Sequence, residues 1–428
     1  MAECALSTSI SNLISGAFIA DLVAYLGGTS ALTGILNAIP SLTTPVQLVS
    51  AFVFGKMRRR KKAVVIASAF VRMLYVAMFL LPAAFLGSKA ALPLLLAAVA
   101  AYNLINNLAG PASTNWVVDL VPASRRSRYF ANREGVSLVV LSVFMLVAGN
   151  VVDYMHASFG KTYGFLFIAL LILLLSAADI YTLTQVDEPE TKQMRRPEAE
   201  TETETSAGNA AYKNGRMAML LEPFKYPSVR NMTILSILWS VGTMFGGPFS
   251  GAYQVVNLEL SFTYIIALSV TSILIRVVLT PLSGKIAAKI GDFPVMIYSA
   301  ALIAVHYMLW AFTVKDNAHI MLPILFVESA VGFAGIGFTM FSIGTRALPE
   351  AIRTTAISVT NTVVGVLGFL STLVASALVT RMNGASITVG GFVFCDLQIV
   401  FFITGVILLL AAGYALYLAL APAEKREA

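Results

Sequence analysis

Residues 187–226 read DEPETKQMRRPEAETETETSAGNAAYKNGRMAMLLEPFKY. This stretch holds six Lys and Arg against eight Asp and Glu. Large apolar residues are few, and Glu200–Thr205 alternates Glu with Thr. Such a composition cannot bury a core, so the stretch reads as a solvated tether, with a short interfacial helix expected at 211–221. On either side the chain is strongly apolar. Overall, 58% of residues are hydrophobic and 12% charged, where soluble domains carry about 25% charge.

A helix needs about 20 apolar residues to cross about 30 Å of hydrocarbon. Six such segments precede the break, at about 5–26, 31–54, 63–86, 91–121, 134–155 and 163–186. Six follow it, at about 228–257, 261–284, 293–314, 319–347, 352–380 and 391–420. The runs are long and continuous rather than alternating, which excludes a β-barrel. The expectation is an all-α integral membrane protein of twelve transmembrane helices. Its domains are a bundle at 1–186, a linker at 187–226 and a bundle at 227–428. The start, MAECALSTSISN, has no basic region, so segment one reads as a retained helix rather than a signal peptide.

The net charge of +7 does not point to nucleic acid, because most Lys and Arg gather on one side of the alternating loops. Lys56, Arg58, Arg59, Arg60, Lys61, Lys62, Arg125, Arg126, Arg128, Arg133, Arg346, Arg353, Lys425 and Arg426 share that side. The other side carries Lys89, Lys161, Lys315 and Arg381. By the positive-inside rule both termini and the tether are cytoplasmic, and the basic clusters meet anionic membrane lipids. Cys4 and Cys395 have neither metal-ligand spacing nor a disulfide pattern. No Walker, HExxH or GxSxG motif occurs. The chain therefore reads as no enzyme, with no cofactor and no metal.

The halves repeat weakly. Thr44-Pro45 is followed by Gly55 as Thr280-Pro281 is followed by Gly291. Asp119-Leu-Val-Pro122 with Arg126 mirrors Arg346-Ala-Leu-Pro349 with Arg353. Parallel six-helix repeats typify one transporter class. With the long middle loop and the glycines Gly55, Gly284 and Gly291, the chain resembles the major facilitator superfamily over nearly its whole length. That resemblance implies two six-helix bundles related by a pseudo-two-fold axis, with the third helix of each triplet facing lipid. The family's 2–3 loop usually reads Gly-x3-Asp-Arg-x-Gly-Arg-Arg. Here Leu48, Phe52, Val53, Gly55, Lys56 and Met57 stand at the motif positions, and Gly284, Ala288, Lys289, Gly291, Asp292 and Phe293 in the second copy. The motif aspartate, which in the family helps latch the outward-facing state, is missing from both.

A carried solute requires polar helix faces. Helical spacing of three and four gathers Ser236, Ser240, Thr243, Gly247, Ser250 and Gln254 in segment seven, and Glu328, Gly332, Gly335, Thr339 and Ser342 in segment ten. Segment eleven aligns Asn361, Gly365, Gly368, Thr372 and Ser376; segment four aligns Asn103, Asn107 and Gly110. Close helix packing selects the same small residues, so the stripes count only as groups. Charges in the membrane cost at least about 2.5–3.5 kcal/mol. Arg276 and Glu328 lie roughly 22 Å and 14 Å from the outer surface at 1.5 Å per residue, to pair with each other or to hold substrate between them. Glu328 is expected to bind a proton or a cationic group, and Asp21 to face the cavity entrance or end its helix in water. Arg72 and Asp179 read as a structural pair, and Asp153 as solvated. Trp239 and Tyr253 are candidate stacking platforms, and Gly246-Gly247-Pro248 should break segment seven.

The expected function is secondary transport of a small organic solute, coupled to protons or another ion, by a monomer in a plasma membrane of bacterial type. The candidate substrate or coupling residues are Arg276, Glu328, Asp21, Asn103, Asn107, Trp239, Gln254 and Asn361. The alternatives are a lipid translocase on the same fold and a non-transporting receptor.

Overall fold

The computed structural model describes residues 2–54, 61–121, 126–186, 222–347, 353–382, 384–389 and 392–420. Residues 187–221, with the expected helix at 211–221, lie outside these. So do Lys56, Arg58–Arg60, Arg125, Lys425 and Arg426, and the side chains of Asp119, Arg126, Arg128, Arg346 and Arg353.

The helices of the first half are α1 (Ala2–Leu13), α2 (Gly16–Tyr25), α3 (Ser30–Thr43), α4 (Val46–Phe54), α5 (Lys61–Phe85), α6 (Ala91–Leu120), α7 (Arg126–Ser158) and α8 (Lys161–Gln185). Those of the second half are α9 (Pro227–Gly246), α10 (Phe262–Ile290), α11 (Asp292–Trp310), α12 (Ala318–Ala347), α13 (Arg353–Met382) and α14 (Asp396–Leu420). Among the described residues eleven helical stretches are long and apolar enough to cross a membrane. The remaining crossing is segment two, which folds as α3 and α4. The protein is a multi-pass membrane protein. Large apolar side chains stand exposed on α5 (Ile66, Phe70, Met73), α8 (Leu170, Leu174) and α14 (Leu410, Tyr417), as a hydrocarbon solvent requires.

Three segments are broken. Segment one is interrupted between α1 and α2, where Gly16 takes φ +59, a conformation open to glycine. In segment two Pro45 has no N–H to donate, and the chain bends after Thr44. Segment seven runs from α9 through a 3₁₀ turn (Gly247–Phe249), a helical turn (Ser250–Ala252) and a π turn (Tyr253–Asn257), so Gly246-Gly247-Pro248 does break it. Segment twelve starts later than its hydropathy suggests. A hairpin of β1 (Ile387–Val389) and β2 (Phe392–Phe394) precedes α14, pairing Ile387 with Phe394 and Val389 with Phe392. Phe312 packs edge-on against Phe392 and Phe394.

Each bundle has its own core. In the first, Leu22, Tyr75, Phe79, Phe165 and Ile168 are buried together. Arg72 ties three segments there, donating to Asp179 Oδ2 at 2.7 Å and to Ser7 Oγ at 2.9 Å. In the second, Tyr253, Trp310 and Phe401 form one aromatic cluster. Tyr253 is buried there, with its hydroxyl on the Thr313 carbonyl, and so is not free to stack on a ligand.

Candidate functional site

The chain starts and ends on the same side of the twelve crossings, here termed proximal; the opposite side is distal. Among the described residues, hydrogen bonds between the bundles lie in the distal part of the structure and reach down to mid-depth. Asn37 Nδ2 donates to the Pro248 carbonyl at 2.9 Å, and Ser376 Oγ to the Ala31 carbonyl at 3.1 Å. Ser41 Oγ reaches Met244 Sδ at 3.6 Å. Glycines allow this approach. A methyl group on Gly34 would overlap the Phe249 ring, one on Gly251 would meet the Gly16 carbonyl oxygen at 2.8 Å, and one on Gly365 the Ser41 carbonyl oxygen at 2.7 Å. The breaks of segments one and seven therefore touch backbone to backbone. Interrupted helices at matching places in two repeats are where such folds set a binding site.

The distal seam is closed by a carboxylate. Asp153, on α7 of the first bundle, accepts from Phe262 N (2.9 Å), Thr263 N (2.8 Å) and Thr263 Oγ1 (2.6 Å) at the start of α10. Ser261 Oγ accepts from Tyr264 N at 3.3 Å. The otherwise orphaned first-turn amides of α10 are thus satisfied, two of them across the seam by a charge placed at the positive helix end. Phe262 also stacks on Phe18, with ring centroids 4.8 Å apart. Asp153 is not the solvated group that its position near the surface suggests.

Below this seam, toward the proximal side, the facing helices present exposed polar groups. Phe262 and Ile266 on α10 meet the first bundle. Arg276 lies fourteen residues on from Phe262, about 40° round the helix at about 100° per residue, and is exposed. Among the described residues its guanidinium has no hydrogen bond or ion pair. Asn361 stands one turn proximal of Gly365, past the contact with Ser41, and is likewise exposed.

The other expected residues sit elsewhere. Asn107 staples the bend of segment two. It donates to Thr43 Oγ1 at 2.8 Å on α3 and accepts from Gln47 Nε2 at 2.6 Å on α4. Asn103 is buried and donates to its own helix at the Val99 carbonyl. Gln254 is buried in the π turn, and Trp239 packs edge-on against Phe333 of α12.

Asp21 is neither at a helix end nor in the cleft. It is buried in α2, with Lys161 Nζ at 2.6 Å from Oδ1 and His156 Nδ1 at 3.8 Å from Oδ2. Glu328 does not pair with Arg276: His306 Nδ1 of α11 lies 2.9 Å from its Oε2, while Oε1 is buried without a partner. Gly332, Gly335 and Ser342 of the segment-ten stripe also face α11. A methyl on Gly332 would strike Ile303, one on Gly335 would strike Ser299, and Ser342 Oγ donates to Asp292 at 2.8 Å. It is a packing seam, the alternative that small residues always allow. Asp153, His156, Lys161 and His306 were not legible as partners, since none has a local spacing that points to the group it meets.

A family model described as the Major Facilitator Superfamily matches residues 4–372. By sequence, no curated protein matches. Among solved structures, a point mutant of the nucleoside transporter NupG is similar with a TM-score of 0.70 at 13% identity, covering 97% of this chain and 98% of that one. A D-xylose-proton symporter aligns at 0.67 and 15%, covering 97% and 95%. An inward-open form of the xylose transporter XylE from E. coli aligns at 0.63 and 16%, covering 97% and 92%. At these identities the likeness is one of fold.

Proposed function

The chain belongs to the Major Facilitator Superfamily, and from that premise we propose that it is a secondary transporter of a small organic solute, working by alternating access. The observation that carries this reading is the asymmetry of the seam. The bundles are joined in the distal part, by Asp153, Asn37 and Ser376. Proximal of those contacts, Arg276 and Asn361 are exposed. With the basic loops cytoplasmic, this is a cytoplasm-facing form, and parting of the distal seam gives its counterpart. The residues 187–226 tether the bundles while they rock.

Coupling to protons is assigned to the Glu328–His306 pair. A carboxylate with one oxygen on an imidazole and the other buried without a partner gains a hydrogen-bond donor on protonation. The pair abuts the segment-nine seam and not the cleft, so it acts on how α11 and α12 pack.

The test is flux in proteoliposomes of solutes chosen by a thermal-shift screen, with and without a pH gradient. Solute-specific uptake that a pH gradient drives supports the reading; headgroup flipping of labelled lipid without solute flux would favour a lipid translocase. Glu328→Gln should retain binding and lose the pH dependence. Uptake by E328Q with unchanged rate and pH profile sinks the proton assignment.

A further inference from the structure

We infer that the solute is an organic anion, held through a carboxylate or phosphate group by Arg276; this rests on the transport reading above. Among the described residues, the carboxylates Asp21, Asp153, Asp179 and Glu328 of the membrane-spanning helices are each engaged by a group other than Arg276. Asp179 is paired with the Arg72 cation at 2.7 Å and Asp21 with that of Lys161 at 2.6 Å, while Glu328 is held by the His306 imidazole at 2.9 Å. Asp153 is matched by the start of α10. Arg276 is left as a cation without a counter-charge, near the middle of the 29-residue α10.

A bare guanidinium in lipid at that depth would be strongly unfavourable, so its exposure belongs to an aqueous cleft. There, between low-dielectric walls, one fixed cation raises the local concentration of anions and repels cations. Guanidinium adds geometry to charge: its fork of N–H donors matches the two oxygens of a carboxylate or phosphate. A neutral sugar or nucleoside would leave the charge uncompensated, and a cation would add to it.

The charge preference of the cleft is tested without knowing the solute. Cys4 and Cys395 are replaced by serine, and Thr280→Cys places a thiol one helical turn from Arg276, within about 6 Å. Its rates with an anionic sulfonatoethyl and a cationic trimethylammonioethyl methanethiosulfonate are each normalised to a free thiol. The expected preference for the anion is roughly tenfold at low ionic strength. It should fall toward unity in R276Q, stay in R276K, and fade in the unsubstituted Arg276 background at about 1 M salt, where the screening length is about 3 Å. A ratio indifferent to both salt and Arg276→Gln overturns the inference and leaves the transport reading standing. A thiol that reacts with neither reagent overturns both.

Counterflow of succinate, glycerol 3-phosphate, glucose and choline is the second arm. Carriage of glucose or choline that survives R276Q refutes the anion inference while confirming transport. Carriage of either anion, abolished in R276Q and weakened in R276K, supports it. If none of the four is carried, the thiol ratio decides.

Discussion

Replacing Asp153 with alanine should release the distal seam. The substitution removes three hydrogen bonds to one carboxylate, from Phe262 N, Thr263 N and Thr263 Oγ1 at 2.6–2.9 Å. Bonds to a charged group contribute about 1.5–3 kcal/mol each when lost in place. When the seam opens, however, water takes over both sides, and only the difference counts. Loss of an N-cap costs about 0.5–2 kcal/mol, and loss of the charge at the helix end a further 0.3–1 kcal/mol or so. A net shift of about 2 kcal/mol follows, or about 30-fold in the open-to-closed ratio at 1.36 kcal/mol per decade. Asparagine keeps a capping oxygen, so Asp153→Asn should shift the ratio by only about a third to a half of that energy. The assay is alkylation of Ala31→Cys, a position 4% exposed within the seam, by an impermeant maleimide applied from the distal side. The background lacks Cys4 and Cys395. Because the thiol reacts only when the seam parts, its rate tracks the open population whatever the starting value. A rate for D153A within twofold of the parent, in protein that keeps its thermal transition, would refute the reasoning.

Two further outcomes follow from the same geometry. Asp179→Ala leaves the Arg72 guanidinium buried against Ser7 and the Tyr75 ring with no counter-charge and should destabilise the first bundle by about 3–5 kcal/mol, read as a lower thermal transition in detergent. The double replacement by leucines should recover most of that loss; if it does not, the pair contributes more than mutual neutralisation. Gly365→Ala and Gly332→Ala should part company. The first drives a methyl group to 2.7 Å from a backbone carbonyl across the seam, whereas the second meets the flexible end of Ile303 within one bundle. Only G365A should raise the Ala31→Cys alkylation rate, and equal effects would mean the seam is not where these contacts place it.

Much of the site depended on what the sequence could not order. Helical spacing correctly put Glu328, Gly332, Gly335 and Ser342 on one face, but the face looks at α11 and not at the cleft. The same spacing put Asn361 and Gly365 on a face that does look at the other bundle. Nothing in the two patterns differs, because glycine and serine serve a close helix contact as well as a wet wall. Arg72 and Asp179 were legible as a pair since both charges fall at similar depth in apolar helices, where an unmatched charge is costly.

The sequence by itself determined that the chain crosses a membrane many times and where segment seven breaks. It also determined that two similar halves flank a polar stretch. These follow from hydropathy, proline and glycine, whose effects are set within a few neighbouring residues. Only the tertiary structure decided that Glu328 meets His306, that Asp21 meets Lys161, and that Asp153 caps a helix of the other bundle. It also left Arg276, near the middle of α10, without a hydrogen bond or ion pair among the described residues. Such pairings join residues 22 to 140 positions apart. They depend on how each helix is turned about its own axis, and that angle is fixed by the packing of all its neighbours at once.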